Sequence, residues 1–522
     1  MRYNGATVRT LGPTFAVILT LVGASLSLAA CGGPATSPAP SQSTSVSSSA
    51  APLPSASGRL FNVKSFGAAG NGTNSDSAAL QRALGAAARV GGTVYLPAGT
   101  YACPTPVTLP DGVGVRGDGD SSWLKGRLVF ASSDVIHGLK IGTAGQCAVT
   151  NAANASGTAF SDCRLHGGGS GDGVDSSVLY LGGLQGNVRN VTFTSCQIER
   201  TMYVPPPGVD AYVKGVGNTI TIHEFCYLPH SGHVEHITFQ DCDLGASNGT
   251  ATGALRMVVE AFTWDNNTGL VYHGWKDLTF EGCTIEASDT GGLDFADKLA
   301  PSTGEHSSSG VLVSGCTFLG SAKDDRYGHG GLPITYECPT GIVIRNSIFD
   351  ASPHEAIGGS HVGQGVTDAP GLLIEGNTFD MTRSPVGLKH ETSEPCISLV
   401  GYNSRVVDNT FLYDTGLGVL VESDRGPAVG NTIQGNTFTD KRASASQGEP
   451  TIELTDQNGL GCHDNHITGN TITNRAAGGA GVIAQTGGGP NFAQGNTIYC
   501  ANALPFAVPT GKLVHSSNGV HP

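Results

Sequence analysis

The chain has 522 residues, of which 76 are Gly and only 13% are charged, with a formal charge of −14. That length exceeds one compact globular core but suits a repeat array, and Gly with few charges points to short strands and turns over helices. The net charge and the lack of a basic stripe exclude a nucleic-acid binder.

Residues 1–30 read as an export signal. Arg2 and Arg9 form a positive start, and "FAVILTLVGASLSLAA" (15–30) is an apolar core. Leu28 to Cys31, "LAAC", resembles the bacterial lipobox, which implies lipidation of Cys31 and an extracytoplasmic protein held at the cell membrane by that lipid alone. Residues 31–58 are an uncharged Gly, Pro, Ala and Ser tether until Arg59, too polar to bury a core and expected to be disordered. No later stretch has the roughly eighteen continuous apolar residues that a membrane span needs.

Residues 59–522 are expected to be one folded domain, with 59–102 as its cap and first coil. Within 61–101, Leu80, Ala83, Leu84 and Ala87 make an i, i+3, i+4, i+7 stripe. That predicts one helix, capped by Asn74 or Ser75 and stopped at Gly91-Gly92. A solenoid must cover its apolar end, and this helix is the expected lid.

Beyond it, one phrase recurs: "VTFTSCQIE" (191–199), "LTFEGCTIE" (278–286), "LLIEGNTFD" (372–380) and "HITGNTITN" (466–474). Its central residues are Cys163, Cys196, Cys242, Cys283, Cys316, Asn346, Asn377, Asn409, Asn436, Asn470 and Asn496, spaced 26 to 46 apart. Such periods signal a solenoid. Alternating apolar residues around the marker, and a second apolar stretch between markers, give each coil at least two strands, with three expected. Stacked Asn side chains would hydrogen-bond along the axis, and Cys would fill the same inward place in earlier coils as packed thiols. Cys103, Cys147, Cys226, Cys338, Cys396, Cys462 and Cys500 remain as candidates for disulfides. No C-x-x-C pair or matching His spacing suggests a metal site.

The segment "NVKSFGAAGNGTNSDSAALQRAL", followed by "GGTVYLPAGTY", resembles the entry signature of the pectate-lyase-like superfamily, which includes polygalacturonase-type hydrolases, rhamnogalacturonases, epimerase-like proteins and phage tailspikes. The resemblance implies an all-β fold, a right-handed parallel β-helix solenoid with an N-terminal capping helix, expected to be a monomer. It does not fix the reaction.

The segments just after four successive markers hold the chemistry: "ASDTGGLDFADK" (287–298), "SAKDDRYGHGG" (321–331), "ASPHEAIGGSH" (351–361) and "MTRSPVGLKHE" (381–391). Stacked one coil apart, about 4.8 Å, they would align Asp289 and Asp294, then Asp324 and Asp325, then His354, then Arg383 or Lys389. Paired carboxylates at such separations serve glycosidases as acid and base. The order resembles the polygalacturonase family. That resemblance implies catalytic roles for Asp289, Asp324, Asp325 and His354, and a substrate-carboxylate clamp at Arg383 or Lys389. The match departs at Ser288-Asp289-Thr290 and at Pro353 and Glu355 around the His.

Two other readings stay open. "SPHE" (352–355) is similar to the Asp-Pro-His motif of mannuronan epimerases, with Ser352 for the Asp. A lyase or epimerase would act on a uronate polymer with Arg256, Lys298 or Lys389 as base, with no organic cofactor but calcium as a possible aid. A non-catalytic glycan-binding surface is the third, with Trp264, Tyr272 and Trp275 either as a sugar-stacking wall or, the reading preferred, as core and loop packing. Attack on a polysaccharide, hydrolysis first, is the leading expectation.

Overall fold

The computed structural model describes residues 58–169, 174–182, 186–200, 220–224, 233–246, 259–263, 275–286, 291–297, 308–319, 332–337, 340–350, 355–359, 371–382, 395–413, 417–423, 426–441, 450–457, 459–475, 481–500, 504–508 and 512–522. The signal, Cys31 and the tether lie outside them.

Asp76 precedes Ser77–Ala88, the one α-helix among the described residues, so the N-cap sits one residue beyond the two predicted. Its carboxylate does not cap the helix. It accepts hydrogen bonds from the backbone N–H groups of Ala69 and Gly70 at 2.6 and 3.1 Å, pinning the preceding loop. The predicted stripe is the buried face: Leu80, Ala83, Leu84 and Ala87 are at most 2% exposed. The helix stops as expected. Gly91 takes a left-handed φ of 64°, and the Gly92 N–H returns to the Ala87 carbonyl at 2.9 Å.

From there the chain winds as a right-handed parallel β-helix, every described strand pairing being parallel. Each full coil contributes one strand to each of three sheets. The first sheet runs through Leu179–Gly182, Ile220–Glu224, Val259–Thr263, Gly291–Asp297, Leu332–Glu337 and Ile357–Gly359 to Leu504–Ala507. The second includes Val188–Thr194 and Val234–Gln240, and the third includes Gln197–Arg200 and Asp243–Ala246. A short additional sheet joins Gly401–Tyr402, Ala428–Val429 and Cys462–His463.

The recurring phrase marks the corner between the second and third sheets. Here the chain turns inward, and its backbone must find partners away from water. In the later coils an Asn ladder supplies them. Asn377 donates its backbone and side-chain N–H groups to Asn409 Oδ1 at 2.8 and 3.0 Å. Asn409 repeats this to Asn436, Asn436 to Asn470, Asn470 to Asn496, and Asn496 to Asn518. The remaining amide hydrogen goes to a carbonyl of the coil before, as from Asn436 to Val406 at 2.8 Å.

Earlier coils use thiols. The Sγ groups of Cys242, Cys283 and Cys316 lie 3.3–3.4 Å from the carbonyls of Phe193, Phe239 and Phe280. Cys242 and Cys283 have their pKa raised to about 12, first by the preceding Cys of the column and then by burial, so both stay protonated. Their role as packed thiols follows. Cys103, Cys147, Cys396, Cys462 and Cys500 are also buried free thiols, which corrects the disulfide expectation for those five. Cys226 and Cys338 lie outside the described residues.

One marker was misplaced by a residue. Ser347, not Asn346, holds the ladder position: its hydroxyl accepts the Cys316 N–H at 3.1 Å and its own N–H reaches Asn377 Oδ1 at 2.9 Å. Asn346 is the preceding bend residue, at φ 51°. That place is left-handed along the column, held by Ser195, Asp241, Gly282, Gly315, Gly376, Asp408 and Gly435. Gly, Asn and Asp tolerate it best.

The interior is filled by columns of like side chains. Phe160, Phe193, Phe239 and Phe280 stack at 4.8–5.2 Å between rings, and Phe318, Phe349, Phe379, Phe411 and Phe438 at 4.5–4.7 Å. Ring pairs of this kind each add about 0.5–1.5 kcal/mol beyond burial.

Asn436→Ala should lower stability by roughly 2–4 kcal/mol, since it strands two donors of Asn409 in the core. Asn518→Ala, at the half-buried end of the ladder, should cost less than about 1 kcal/mol. Urea unfolding of the two variants checks this, and equal losses would contradict the ladder's role.

Candidate active site

Asp289, Asp324 and Asp325, His354, and Arg383 with Lys389 each fall in the connection from a third-sheet strand to the next first-sheet strand, in four successive coils. These residues, with Trp264, lie outside the described residues. Asp294 and Trp275 are described.

Asp294 sits on the first sheet, where Leu293 and Phe295 on either side are fully buried. Alternation along the strand therefore turns Asp294 outward. Its register partners are Glu260 in the coil before and Thr335 in the coil after, and Thr335 pairs in turn with Gly358. The Thr335 hydroxyl donates to Asp294 Oδ1 at 2.6 Å.

Glu355 places its carboxylate over Gly358, so close that a methyl there would meet Oε2 at 1.9 Å. The glycine is thus the space that lets Glu355 lie on the outward column. Asp294, Thr335 and the Glu355 carboxylate form one line along the axis, with the end positions two strand spacings, about 10 Å, apart. The sequence alone presents Glu355 only as a flank of His354.

Behind this line stands Tyr336, which is 1% exposed. It donates to the Ser398 carbonyl at 2.9 Å and accepts from the Val400 N–H at 3.3 Å. Burial pushes its pKa up, so it remains a phenol that fixes the strand. Of the two readings for Trp275, sugar-stacking wall or core packing, the structure gives the core and removes it from the substrate-binding candidates. It is fully buried, 6.0 Å from the Phe295 ring, and presents no face to a ligand.

A second polar cluster, absent from the sequence expectations, lies on the outward face of the third sheet in the early coils. Trp123, Lys140, Arg164, Gln197 and Asp243 are register partners in successive coils. His166 and Glu199 form the neighbouring column. The Arg164 guanidinium binds Glu199 Oε1 at 2.8 and 2.6 Å and Asp120 at 3.2 Å. Trp123 donates its indole N–H to the Gly142 carbonyl at 2.9 Å, its ring 5.4 Å from that of His166 and 4.4 Å from Lys140 Nζ. Burial, then Lys140 and Arg164, lower the pKa of His166 to about 4, so its imidazole is neutral at neutral pH.

Among the described residues no group of three or more His, Cys, Asp or Glu side chains could hold a metal ion. The calcium suggested for a lyase therefore has no described donor set.

Residues 60–160 match the family model described as rhamnogalacturonase A/epimerase, pectate lyase-like. The chain is 36% identical over 175 residues to mannuronan C5-epimerase AlgE1 of Azotobacter vinelandii, a match covering 31% of this chain and 12% of that protein. It is 49% identical over 67 residues to AlgE4 of the same organism, covering 11% and 12%. The matched segments thus span about an eighth of the length of these relatives. Among solved structures, tailspike protein 3 of bacteriophage CBA120 superposes with a TM-score of 0.51 at 13% identity, covering 88% of this chain and 61% of that one.

The entry signature and the match over residues 60–160 are those of the pectate-lyase-like superfamily of right-handed parallel β-helix proteins, and the stacked coils carry that fold through the rest of the described residues. Within it, the expected entry signature falls inside the matched segment.

The site also sets a pH dependence. His166 binds its proton more weakly folded than unfolded, so its contribution to stability falls as pH drops from 6.5 toward about 4. Asp134 acts in the opposite sense. It is fully buried, accepts from the Ala131 and Val113 N–H groups, and has its pKa raised by burial from 3.8 to about 6, so its contribution falls as pH rises through that window. His166→Gln should therefore remove stability loss on the acid side that the wild type shows, measured as urea midpoints between pH 4 and 6.5. Identical profiles would show that His166 is not held neutral.

Proposed function

We propose that the protein is a polysaccharide-processing enzyme that lays its substrate along the outward face of the first sheet and hydrolyses glycosidic bonds there. The observation carrying this reading is the shared column of Asp294 and Glu355. One carboxyl, protonated, delivers its proton to the glycosidic oxygen; the other, ionised, takes a proton from the attacking water. Thr335 fixes the rotamer of Asp294, and Gly358 gives Glu355 its room. A separation near 10 Å leaves space for a water and lies closer to an inverting pair, about 6.5–9.5 Å, than to a retaining one at about 5–5.5 Å. Asp289, Asp324, Asp325 and His354 are proposed to assist this pair as further acid or base groups, with Arg383 and Lys389 as the proposed clamp on a substrate carboxylate.

A second reading is C5-epimerisation or lyase action on a uronate polymer. The 36% identity to a mannuronan C5-epimerase over 175 residues favours it. Both reactions begin by removing the proton at C5, which becomes acidic only when the neighbouring carboxylate is neutralised.

Incubation with polygalacturonate, polymannuronate and a neutral glucan separates the readings. Hydrolysis gives reducing ends alone, a lyase adds ultraviolet-absorbing unsaturated ends, and an epimerase changes the NMR signals of the polymer without cutting it. Asp294→Asn and Glu355→Gln should each lower the rate by about 10²–10⁴-fold. If both retain full activity while Asp324→Asn and Asp325→Asn abolish it, the chemistry belongs to the connections and not to this pair.

We also propose that Cys31 carries a lipid that anchors the protein outside the cytoplasm. Cys31→Ser should then move the protein from the membrane pellet to the soluble fraction; a wild type already soluble would contradict the anchor.

A further inference from the structure

We propose that the outward face of the third sheet around Trp123, Lys125, Lys140 and Arg164 is a binding site for the carboxylates of an acidic glycan, distinct from the first-sheet face. The choice of a glycan as carrier of those carboxylates rests on the reading above; the anion site itself does not.

Lys125 and Lys140 place their ammonium groups 5.7 and 4.4 Å from the centre of one indole ring, that of Trp123. Neither forms an ion pair among the described residues. In a chain of net charge −14, two lysines sharing one ring with no ion-pair partner of their own are a local concentration of positive charge, although Asp120 and Glu199 lie beside them on Arg164. Lys125 is exposed and Lys140 half-buried, so both can meet a solute.

Arg164 follows in the next coil, but Asp120 and Glu199 hold its guanidinium, so the positive charge open to a ligand is that of Lys125 and Lys140. Trp123, Lys140 and Arg164 follow one another at the strand spacing, about 4.8 Å. A polymer bearing a carboxylate on each unit can contact the two lysines with different units, which a single small anion cannot do. The row is also directional: Asp243 and Glu199 follow it in the next coils, so an acidic chain is attracted at the early coils and repelled further on.

His166 reports on occupancy. Lys140 and Arg164 help hold it neutral, so a carboxylate that offsets their charge raises its pKa from about 4. Trp123 gives an optical signal, since a ligand on Lys140 must displace or enclose the ammonium over its ring.

The test is titration of the full chain with oligomannuronate, followed by tryptophan emission and by the His166 NMR shift, with a neutral glucan oligomer as control. Trp123→Phe assigns the emission change. Oligomannuronate should alter Trp123 emission and raise the His166 pKa, more weakly as salt increases, while the neutral oligomer does neither. Lys140→Gln, and Lys125→Gln combined with it, should weaken binding by about tenfold or more, the loss of a charge-assisted contact. Unchanged affinity in the double variant, or no response by the wild type, overturns the proposal and leaves the two lysines as a clasp on the indole. Asp294→Asn keeps the failures apart. Lost turnover with binding intact supports two sites; lost turnover together with lost Trp123 response would mean a single site and overturn the second.

Discussion

The fold depends on one constraint: at the corner between the second and third sheets, each coil must satisfy buried backbone N–H groups without water. An Asn side chain that accepts two bonds from the coil before and donates to the next solves this at every turn. It also fixes register. A slip of one residue would replace the ladder amide by a bend residue and turn every strand's apolar face outward. A second set, Asn431, Asn465 and Asn491, repeats the device at the additional short sheet. The Cys column makes fewer polar demands, its thiols touching carbonyls of the preceding coil. Ser347 joins the two, accepting from Cys316 and donating to Asn377.

Register is what gives the outward faces chemical meaning. Asp294 and Thr335 are 41 residues apart in sequence, yet one donates to the other across a single strand spacing. The same logic assembles Trp123, Lys140 and Arg164 into a row. The two faces differ in character: the first sheet carries carboxylates set by a hydroxyl and a glycine, the third carries cations gathered on an indole. In the proposed reading, an acidic polysaccharide is held by the cations of one face and processed by the carboxylates of the other.

Much of this was legible in the sequence because a solenoid writes its period into the chain. The apolar helix stripe and the marker phrase follow from burial alone, and both appear in the structure. The errors have local causes. Asn346 looked like a ladder residue because Asn also suits the left-handed bend that precedes it, and only stacking distinguishes the two places. Trp275 stayed open between sugar platform and core because aromatic character does not say whether a ring points inward or outward. The third-sheet cluster went unseen because Leu139 occupies the marker position in its coil, pairing beside Cys163. With neither Cys nor Asn to index that coil, Lys140 and Arg164 could not be aligned, although Trp123 and Lys125, then Arg164 and His166, alternate as outward residues should. Glu355 was missed for a different reason: its carboxylate reaches the column only because Gly358 has no side chain.

The most direct measurement of this account is a double-mutant cycle across one rung of the ladder, Asn377→Ala and Asn409→Ala singly and together, read by urea unfolding. Direct stacking predicts non-additivity of about 1 kcal/mol or more, because removing either residue already breaks the bonds they share. Strict additivity would mean the two side chains never meet, and the register that builds both faces would fall with them.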